Sequence, residues 1–213
     1  MSRARRLLAG IGCALGAACS DPTVPSRTAA YPFTDLFGEV FHWPTERLPV
    51  RFYVDPRGNL GELVARAIDT WERQFLYGEF RGVVADDSGA ADVLVRWSDS
   101  VPPDAPPDNG PPVVACGGLT QGILDTTGTA FAEPLVIELD IIGGTSYTPG
   151  QVQACLRRTA IHELGHTLGL LQEAADSQVI MHSPPLVAVP TERDRRTVER
   201  LYHTPPTLGP PPP

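Results

Sequence analysis

The chain has 213 residues, of which 42% are hydrophobic and 20% are charged, and its net charge is −8. This length suits one domain with a sizeable core, and the composition is that of a globular protein rather than a disordered one. Every basic residue is an arginine, and three of the arginines lie within the first six residues. The remaining chain is therefore more acidic still, which argues against a nucleic-acid partner bound through a basic face.

Residues 1–19 are predicted to be an export signal. Arginines precede a short apolar run from Leu7 to Ala18, and small residues then lead to Cys19. The run is too short to span a bilayer as a helix and is typical of a secretory signal. The stretch LGAACS also resembles a bacterial lipoprotein signal, although Gly16 stands where that family prefers leucine. We expect lipidation of Cys19, with simple secretion as the alternative, so the membrane is contacted only through this anchor.

Residues 20–40 are predicted to be a linker, because they contain prolines and no clear periodicity. The folded domain is predicted over 41–203. LPVRFYVD alternates apolar and other residues as a half-buried strand does, and from Leu60 the apolar residues recur on one face of a helix. EFRGVV and ADVLVRWSD predict two further strands. After a proline-rich loop over 98–115, GGLTQGIL and PLVIELDII predict the last two strands.

Two helices complete the domain. Thr148 is a predicted N-cap, followed by Pro149 in the first turn and by Gln151 three residues after the cap. Apolar residues then recur every four positions until Gly169, where a left-handed C-terminal turn is expected. The last helix is predicted from about Thr191 to Tyr202. The order of elements indicates an α+β domain, and the proline-rich residues 204–213 are predicted to be a disordered or polyproline tail.

The sequence HELGH at residues 162–166 carries the chemistry. His162 and His166 are four residues apart, so both imidazoles project from one face of the helix and can bind one zinc ion. Glu163 is rotated about 100° around the helix axis, beside the metal rather than on it. It is our candidate general base, which would take a proton from zinc-bound water and pass it to a leaving amine.

These residues belong to a longer pattern, HExxHxxG, which ends at Gly169 and resembles the metzincin zinc proteases, among them the matrixins and their bacterial relatives. VIMHSP around Met181 resembles their methionine-containing turn, the Met-turn. AIDTWE, ADVLVRWSD and ERDRRTVERLY resemble the first helix, a central strand and the closing helix of matrixins. The resemblance covers nearly all of Phe41 to His203. It implies a twisted mixed β-sheet, a long active-site helix, a Met-turn and a C-terminal helix.

The third zinc ligand departs from the commonest metzincin pattern, which has histidine where this chain has Gln172. In these proteases the third ligand precedes the methionine by eight residues, and counting back from Met181 gives Glu173. A carboxylate there completes a ligand set that suits hydrolytic zinc, whereas an amide oxygen is a poor ligand. We therefore predict His162, His166 and Glu173 as ligands. Gln172 and Asp176 are the substitutes if Glu173 is a solvated loop acid.

Other residues carry weaker signals. Cys116 and Cys155 are the two cysteines outside the signal, and after export they are expected to form a disulfide, with two buried free thiols as the alternative. His182 follows the methionine and either approaches the metal or lies on the surface. Three aspartates offer a calcium site without any loop signature, so a solvated turn is favoured. They are Asp86, Asp87 and Asp92.

The leading interpretation is an exported, monomeric zinc endopeptidase that acts on a protein or peptide substrate. One alternative is a non-catalytic binding lipoprotein of the same fold with a weak zinc site. Glu163 favours the enzyme, because a binding module has no need of a general base. The other alternative is a zinc amidase of the cell envelope, since the same chemistry cleaves other amides.

Overall fold

The computed structural model describes residues 28–97, 115–142 and 148–213. The predicted signal with Cys19, and nearly all of the loop over 98–115, lie outside these ranges. Within the described residues, no helix is both long and apolar enough to cross a membrane. The helices and strands, in chain order, are β1 (Val50–Val54), α1 (Leu60–Glu72), β2 (Gly82–Ala85), β3 (Val93–Trp97), β4 (Ala115–Gln121), β5 (Leu135–Ile142), α2 (Pro149–Thr167) and α3 (Glu192–Tyr202).

The five strands form one sheet in the order β2-β1-β3-β5-β4. Every neighbouring pair is parallel except β4 with β5, which is antiparallel and places β4 at one edge. The predicted alternation in β1 is confirmed, since Val50, Phe52 and Val54 are buried and the residues between them are half-buried. The protein is therefore an α+β domain with a mixed sheet, as the sequence predicts.

Helices α1 and α2 pack against each other and against the sheet. All six residues of the α1 apolar stripe from Leu60 to Trp71 are buried, and the Trp71 indole donates a hydrogen bond to the carbonyl of Ile161 on α2, at 2.7 Å. The start of α2 has the predicted capping box between Thr148 and Gln151. Burial of one helix face against the sheet and α1 fixes the direction in which the other residues of α2 point.

Gly169 follows the end of α2, and glycine is required there for two separate reasons. Its φ of 106° lies in a region that side chains strongly disfavour, so glycine allows the chain to turn away after Leu168. A Cβ at this position would also collide with the backbone carbonyl of Phe41 and lie 3.2 Å from Leu201. The helix therefore stops where a close backbone approach requires a residue without a side chain.

The prediction that residues 20–40 are a linker is wrong for the part from residue 28 onward. The Tyr31 hydroxyl donates to Asp194 at 2.7 Å, and the backbone amide of Ala30 donates to the Thr197 hydroxyl at 3.0 Å. Tyr31 is 9% exposed. This segment is ordered by hydrogen bonds to residues of α3, which lie more than 160 positions away in the sequence. Such contacts require no periodicity within the segment, so its sequence does not reveal them.

The C-terminal residues 204–213 also pack against the domain, which contradicts the prediction of a disordered tail. Leu208 is 4% exposed, and its amide donates to the carbonyl of Val40 at 3.0 Å. Phe131 in turn donates its amide to the carbonyl of Gly209 at 3.1 Å. Proline lacks an N–H to satisfy, so the few other residues of this segment are sufficient to pair its backbone with the domain.

Cys116 on β4 and Cys155 on α2 form a disulfide with a Cα–Cα distance of 5.9 Å. Both cysteines are buried beside Leu63 and Leu156. The bond closes a segment with a sequence separation of 39 residues. In the chain-entropy description such a loop contributes about 4 kcal/mol to the free energy of unfolding.

We expect the exported protein to carry this bond. Mass spectrometry of a non-reduced digest should find the peptides of Cys116 and Cys155 joined, and replacing both cysteines by alanine should lower the melting temperature because the unfolded chain regains entropy. Two thiols that react with an alkylating reagent in protein from an oxidising compartment would contradict the prediction.

Candidate metal centre and active site

The C-terminal half of α2 is buried almost all round, in contrast to its exposed first turn. His162 is 2% exposed and His166 is partly buried one helical turn later. Their rings meet edge to face, with centroids 4.8 Å apart. Two polar rings in so buried a place need partners for each nitrogen, because an unpaired buried polar atom is costly.

One nitrogen of each ring is bonded to a backbone carbonyl. His162 Nδ1 lies 2.8 Å from the carbonyl oxygen of Ile180, and His166 Nδ1 lies 2.6 Å from that of Leu170. A carbonyl oxygen only accepts, so each Nδ1 carries the proton and donates. In the neutral form that binds metal, each Nε2 then carries the lone pair. Such outer contacts are the ones that orient metal-binding histidines.

Glu173 brings its carboxylate to the two free nitrogens. Its Oε2 lies 3.4 Å from His162 Nε2 and its Oε1 lies 3.4 Å from His166 Nε2. The two Nε2 atoms are 3.1 Å apart. We call the two Nε2 atoms and the Glu173 carboxylate the donor triangle. It joins two helix residues to one residue of the loop that follows Gly169.

The donor triangle has the size and chemistry of a zinc site. A tetrahedral zinc with bonds of about 2.0–2.1 Å holds its ligand atoms roughly 3.3–3.4 Å apart. The two Nε2 atoms are 3.1 Å apart, and each lies 3.4 Å from a different oxygen of Glu173. With one ligand atom taken from each residue, the three atoms lie within 4.8 Å of one another, close enough for small side-chain shifts to bring them to one zinc ion. Two imidazole lone pairs that face each other repel unless a cation lies between them. The three side chains present therefore fit zinc.

The two substitute ligands point elsewhere. The Gln172 amide donates to the backbone carbonyls of Thr34 and Asp35, at 2.6 and 3.1 Å. Asp176 forms an ion pair with Arg193. The structure therefore brings Glu173 to the imidazoles, whereas the side chain of Gln172 joins the N-terminal segment to the loop that carries Glu173.

The charges of the donor triangle shift its pKa values strongly. Burial alone would lower the pKa of His162, but the contact with Glu173 and the charge of Glu163 raise it to about 9. Burial likewise opposes the ionised form of Glu173, yet the two imidazoles lower the pKa of its carboxyl to about 2. The Glu173 carboxylate is therefore ionised, as a zinc ligand must be, whereas the proton that His162 holds without metal would be released when zinc binds.

Glu163 lies beside the donor triangle and does not belong to it. Its carboxylate accepts a hydrogen bond from the Thr120 hydroxyl on β4 at 2.7 Å, and the residue is 5% exposed. Burial raises the pKa of this carboxyl, against the opposing effect of the His162 and His166 rings. Glu163 thus lies outside the group of candidate ligands, and its role as general base stays a prediction.

Met181 is fully buried beneath the active-site helix, against Gly165. A Cβ at Gly165 would collide with its sulfur, so glycine lets the methionine approach the backbone of α2 closely between His162 and His166 in sequence. The carbonyl of Met181 accepts a hydrogen bond from the amide of Ala174 at 2.7 Å. The segment around Met181 therefore supports both α2 and the loop that carries Glu173.

A cleft of about 620 Å³ opens along the edge strand β4. Its lining includes Glu163, His166 and Glu173 together with the β4 residues from Gly118 to Gln121. Six of the residues that line the cleft are apolar. These are Leu119, Leu124, Phe131, Leu135, Leu171 and Leu208. The candidate site is thus reached along a strand edge that no other strand of the described residues pairs with.

The weaker candidates do not join the site. His182 Nδ1 contacts the carbonyl of Pro184 at 2.9 Å. Asp86 and Asp87 are exposed, which agrees with the solvated turn. Asp92 is 1% exposed and paired with Arg47 and Arg51, so the prediction of a solvated turn is wrong for Asp92. Two guanidinium groups already neutralise its charge, and the described residues give no support for calcium there.

Two functional contacts have no signal in the sequence. Thr120 binds Glu163 across 43 positions. Asp194 is fully buried and accepts hydrogen bonds from the amide of Ile180, whose carbonyl in turn binds His162. The predicted helix start near Thr191 is confirmed, and the structure shows a capping box between Thr191 and Asp194 there. That predicted start does not show that Asp194 also supports the candidate ligand His162.

Comparison with known proteins finds no matching family model and no curated protein that matches. Among solved structures, the chain is similar to archaemetzincin from Methanopyrus kandleri, with 14% identity over 76% of this chain and 99% of that one and a TM-score of 0.43. It is also similar to myroilysin, with 14% identity over 77% of this chain and 96% of that one and a TM-score of 0.40. Both similarities are distant.

Proposed function

We propose that the protein is a zinc-dependent endopeptidase of the metzincin type, with His162, His166 and Glu173 as the ligands. The observation that carries this proposal is the donor triangle, in which one ligand atom from each of the three residues lies within 4.8 Å of the others, so that one zinc ion could contact all three. Three protein ligands leave a fourth position open, which is the arrangement of a catalytic site rather than a structural one.

Glu163 is the general base in this proposal. Zinc, when bound, supplies a Lewis acid that polarises a peptide carbonyl and acidifies water. The Glu163 carboxylate lies next to the donor triangle and faces the cleft, so it can take a proton from the attacking water and return that proton to the leaving amine. His162 and His166 keep their orientation through their bonds to backbone carbonyls.

The edge strand β4 favours a peptide substrate over a small amide. One side of β4 pairs with β5 and the other borders the cleft. An extended peptide can add to such an edge through backbone hydrogen bonds, which bind it regardless of its sequence. The apolar wall from Leu124 to Leu208 then offers contacts to substrate side chains. Met181 beneath the helix has the place of a Met-turn in this proposal.

Export and lipidation at Cys19 remain part of the proposal. The basic and apolar N-terminal pattern supports export. A disulfide between Cys116 and Cys155 supports it too, because structural disulfides persist in oxidising compartments. We place the protein in the cell envelope or outside the cell, as a monomer held at a membrane through its lipid.

The proposal is tested with a random peptide library incubated with the purified, exported protein. We expect cleavage at internal peptide bonds, loss of cleavage after a chelator removes zinc, and recovery when zinc is restored. Product mass spectrometry gives the side-chain preference. Cleavage of peptidoglycan fragments without any cleavage of peptides would favour the amidase, and tight zinc binding without hydrolysis of either would favour a binding protein.

A further inference from the structure

Strand β4 and helix α2 run side by side with matched spacings. Two residues advance a strand by about 6.6–6.8 Å, and four residues advance a helix by about 6.0 Å. Every second residue of β4 can therefore face every fourth residue of α2. Three facing pairs follow this rule: Cys116 with Cys155, Gly118 with Thr159, and Thr120 with Glu163. We call this row of pairs the β4–α2 seam.

The last pair of the β4–α2 seam reaches the candidate base. The Thr120 hydroxyl lies 2.7 Å from Glu163 Oε2 and 3.0 Å from the backbone carbonyl of Glu163. A hydroxyl donates one hydrogen, and the carboxylate is the stronger and nearer acceptor. Because Glu163 is 5% exposed, water has little access to replace this bond. The hydroxyl therefore restricts where the carboxylate can lie.

Gly118 restricts the same carboxylate from the other direction. A Cβ at Gly118 would collide with Glu163 Oε1, and it would lie 2.6 Å from Glu163 Cγ and 2.6 Å from Thr159 Cγ2. The side chain of Glu163 thus lies directly against the backbone of β4. Any larger residue at position 118 would displace the Glu163 side chain, so the glycine allows that side chain to lie against β4.

We propose that Thr120 is a positioning residue that holds the Glu163 carboxylate for proton transfer. This inference rests on the proposed function and goes further, because Thr120 lies on the strand that borders the cleft. A substrate bound along β4 would then contact the same strand that orients the base. Binding and proton transfer are coupled through one element, and the disulfide fixes the other end of that element to α2.

The test compares Thr120→Val with Thr120→Ser. Valine keeps the branched shape that a strand favours and removes the hydroxyl, whereas serine keeps the hydroxyl. We expect Thr120→Val to lower kcat about 10- to 100-fold, as for loss of a buried hydrogen bond to a charged group. Its KM for peptides and its zinc content should stay close to those of the wild type. Thr120→Ser should retain most of the wild-type kcat.

Crystal structures of the same variants give a readout that does not depend on activity. The Glu163 carboxylate should stay at hydrogen-bond distance from residue 120 in the wild type and in Thr120→Ser, and it should be displaced in Thr120→Val. Gly118→Ala should displace it as well. Gly150→Ala is the matched control, because a Cβ at Gly150 has no heavy atom within 4 Å.

Three results would overturn the positioning role. They are an unmoved carboxylate with unchanged kcat in Thr120→Val, a loss of zinc in that variant, and a failure of serine to restore kcat. A wild-type protein that cleaves no peptide would instead refute the proposed function. The crystal structures would still decide whether Thr120 holds Glu163, so the two failures are distinguishable.

Discussion

Glu163→Gln is expected to bind a full complement of zinc and to lose about two to four orders of magnitude in kcat, the range attributed to a general base. Glu163 lies outside the donor triangle, so no ligand is removed. Glutamine has the same shape and can still accept the hydrogen bond from Thr120, but its amide cannot take a proton from water. Metal analysis and peptide kinetics on the same preparation measure both effects.

Glu138→Gln is the matched control for this change. Glu138 lies on β5, and its partly buried carboxylate pairs with Arg96 rather than with the site. Its variant should keep both zinc and kcat. Substantial hydrolysis by Glu163→Gln would remove Glu163 from the mechanism, because the reaction would then proceed without this proton acceptor.

The sequence predicts the regular elements well, because their signals are local. The alternation of apolar residues predicts β1, and the apolar stripe from Leu60 to Trp71 predicts α1; the burial of these residues confirms both. The capping box and Gly169 identify both ends of α2. The strand order is different in kind. Nothing within GGLTQGIL indicates that β4 pairs antiparallel with β5 at an edge, since that pairing joins distant residues.

The terminal segments show where local signals fail. Residues 28–40 and 204–213 have no periodicity, yet each finds hydrogen-bond partners far along the chain. Val40 accepts from Thr207 and Leu208, and Tyr31 donates to Asp194. Because these contacts are single bonds and short bridges rather than repeated ladders, the residues that make them need no regular spacing.

The candidate site divides in the same way. His162, His166 and Glu163 could be predicted because helix geometry alone sets their relative directions. The choice between Gln172 and Glu173 could not be made from geometry of that kind, since neighbouring loop residues point in directions that only the folded chain defines. Thr120 was not predicted at all, because its contact with Glu163 depends on how β4 lies against α2.

Glu173→Ala is expected to purify with little zinc and to be inactive. The change leaves two imidazoles and removes the one anionic member of the donor triangle. Loss of an outer contact to a ligand typically weakens metal binding 10- to 100-fold, so loss of the ligand itself should weaken it by more than about 100-fold. Elemental analysis of the purified variant and a competition titration with a chelator measure the change.

Gln172→Ala is the matched control, one residue away in the same loop. The Gln172 amide bonds to the carbonyls of Thr34 and Asp35, so its removal should lower the free energy of unfolding by about 1–3 kcal/mol. Zinc should stay near stoichiometric and much of the activity should remain. The opposite result, with zinc lost from Gln172→Ala and kept by Glu173→Ala, would make the amide the third ligand. An amide oxygen binds zinc poorly beside imidazole, and a weak, non-catalytic site would then be the better account.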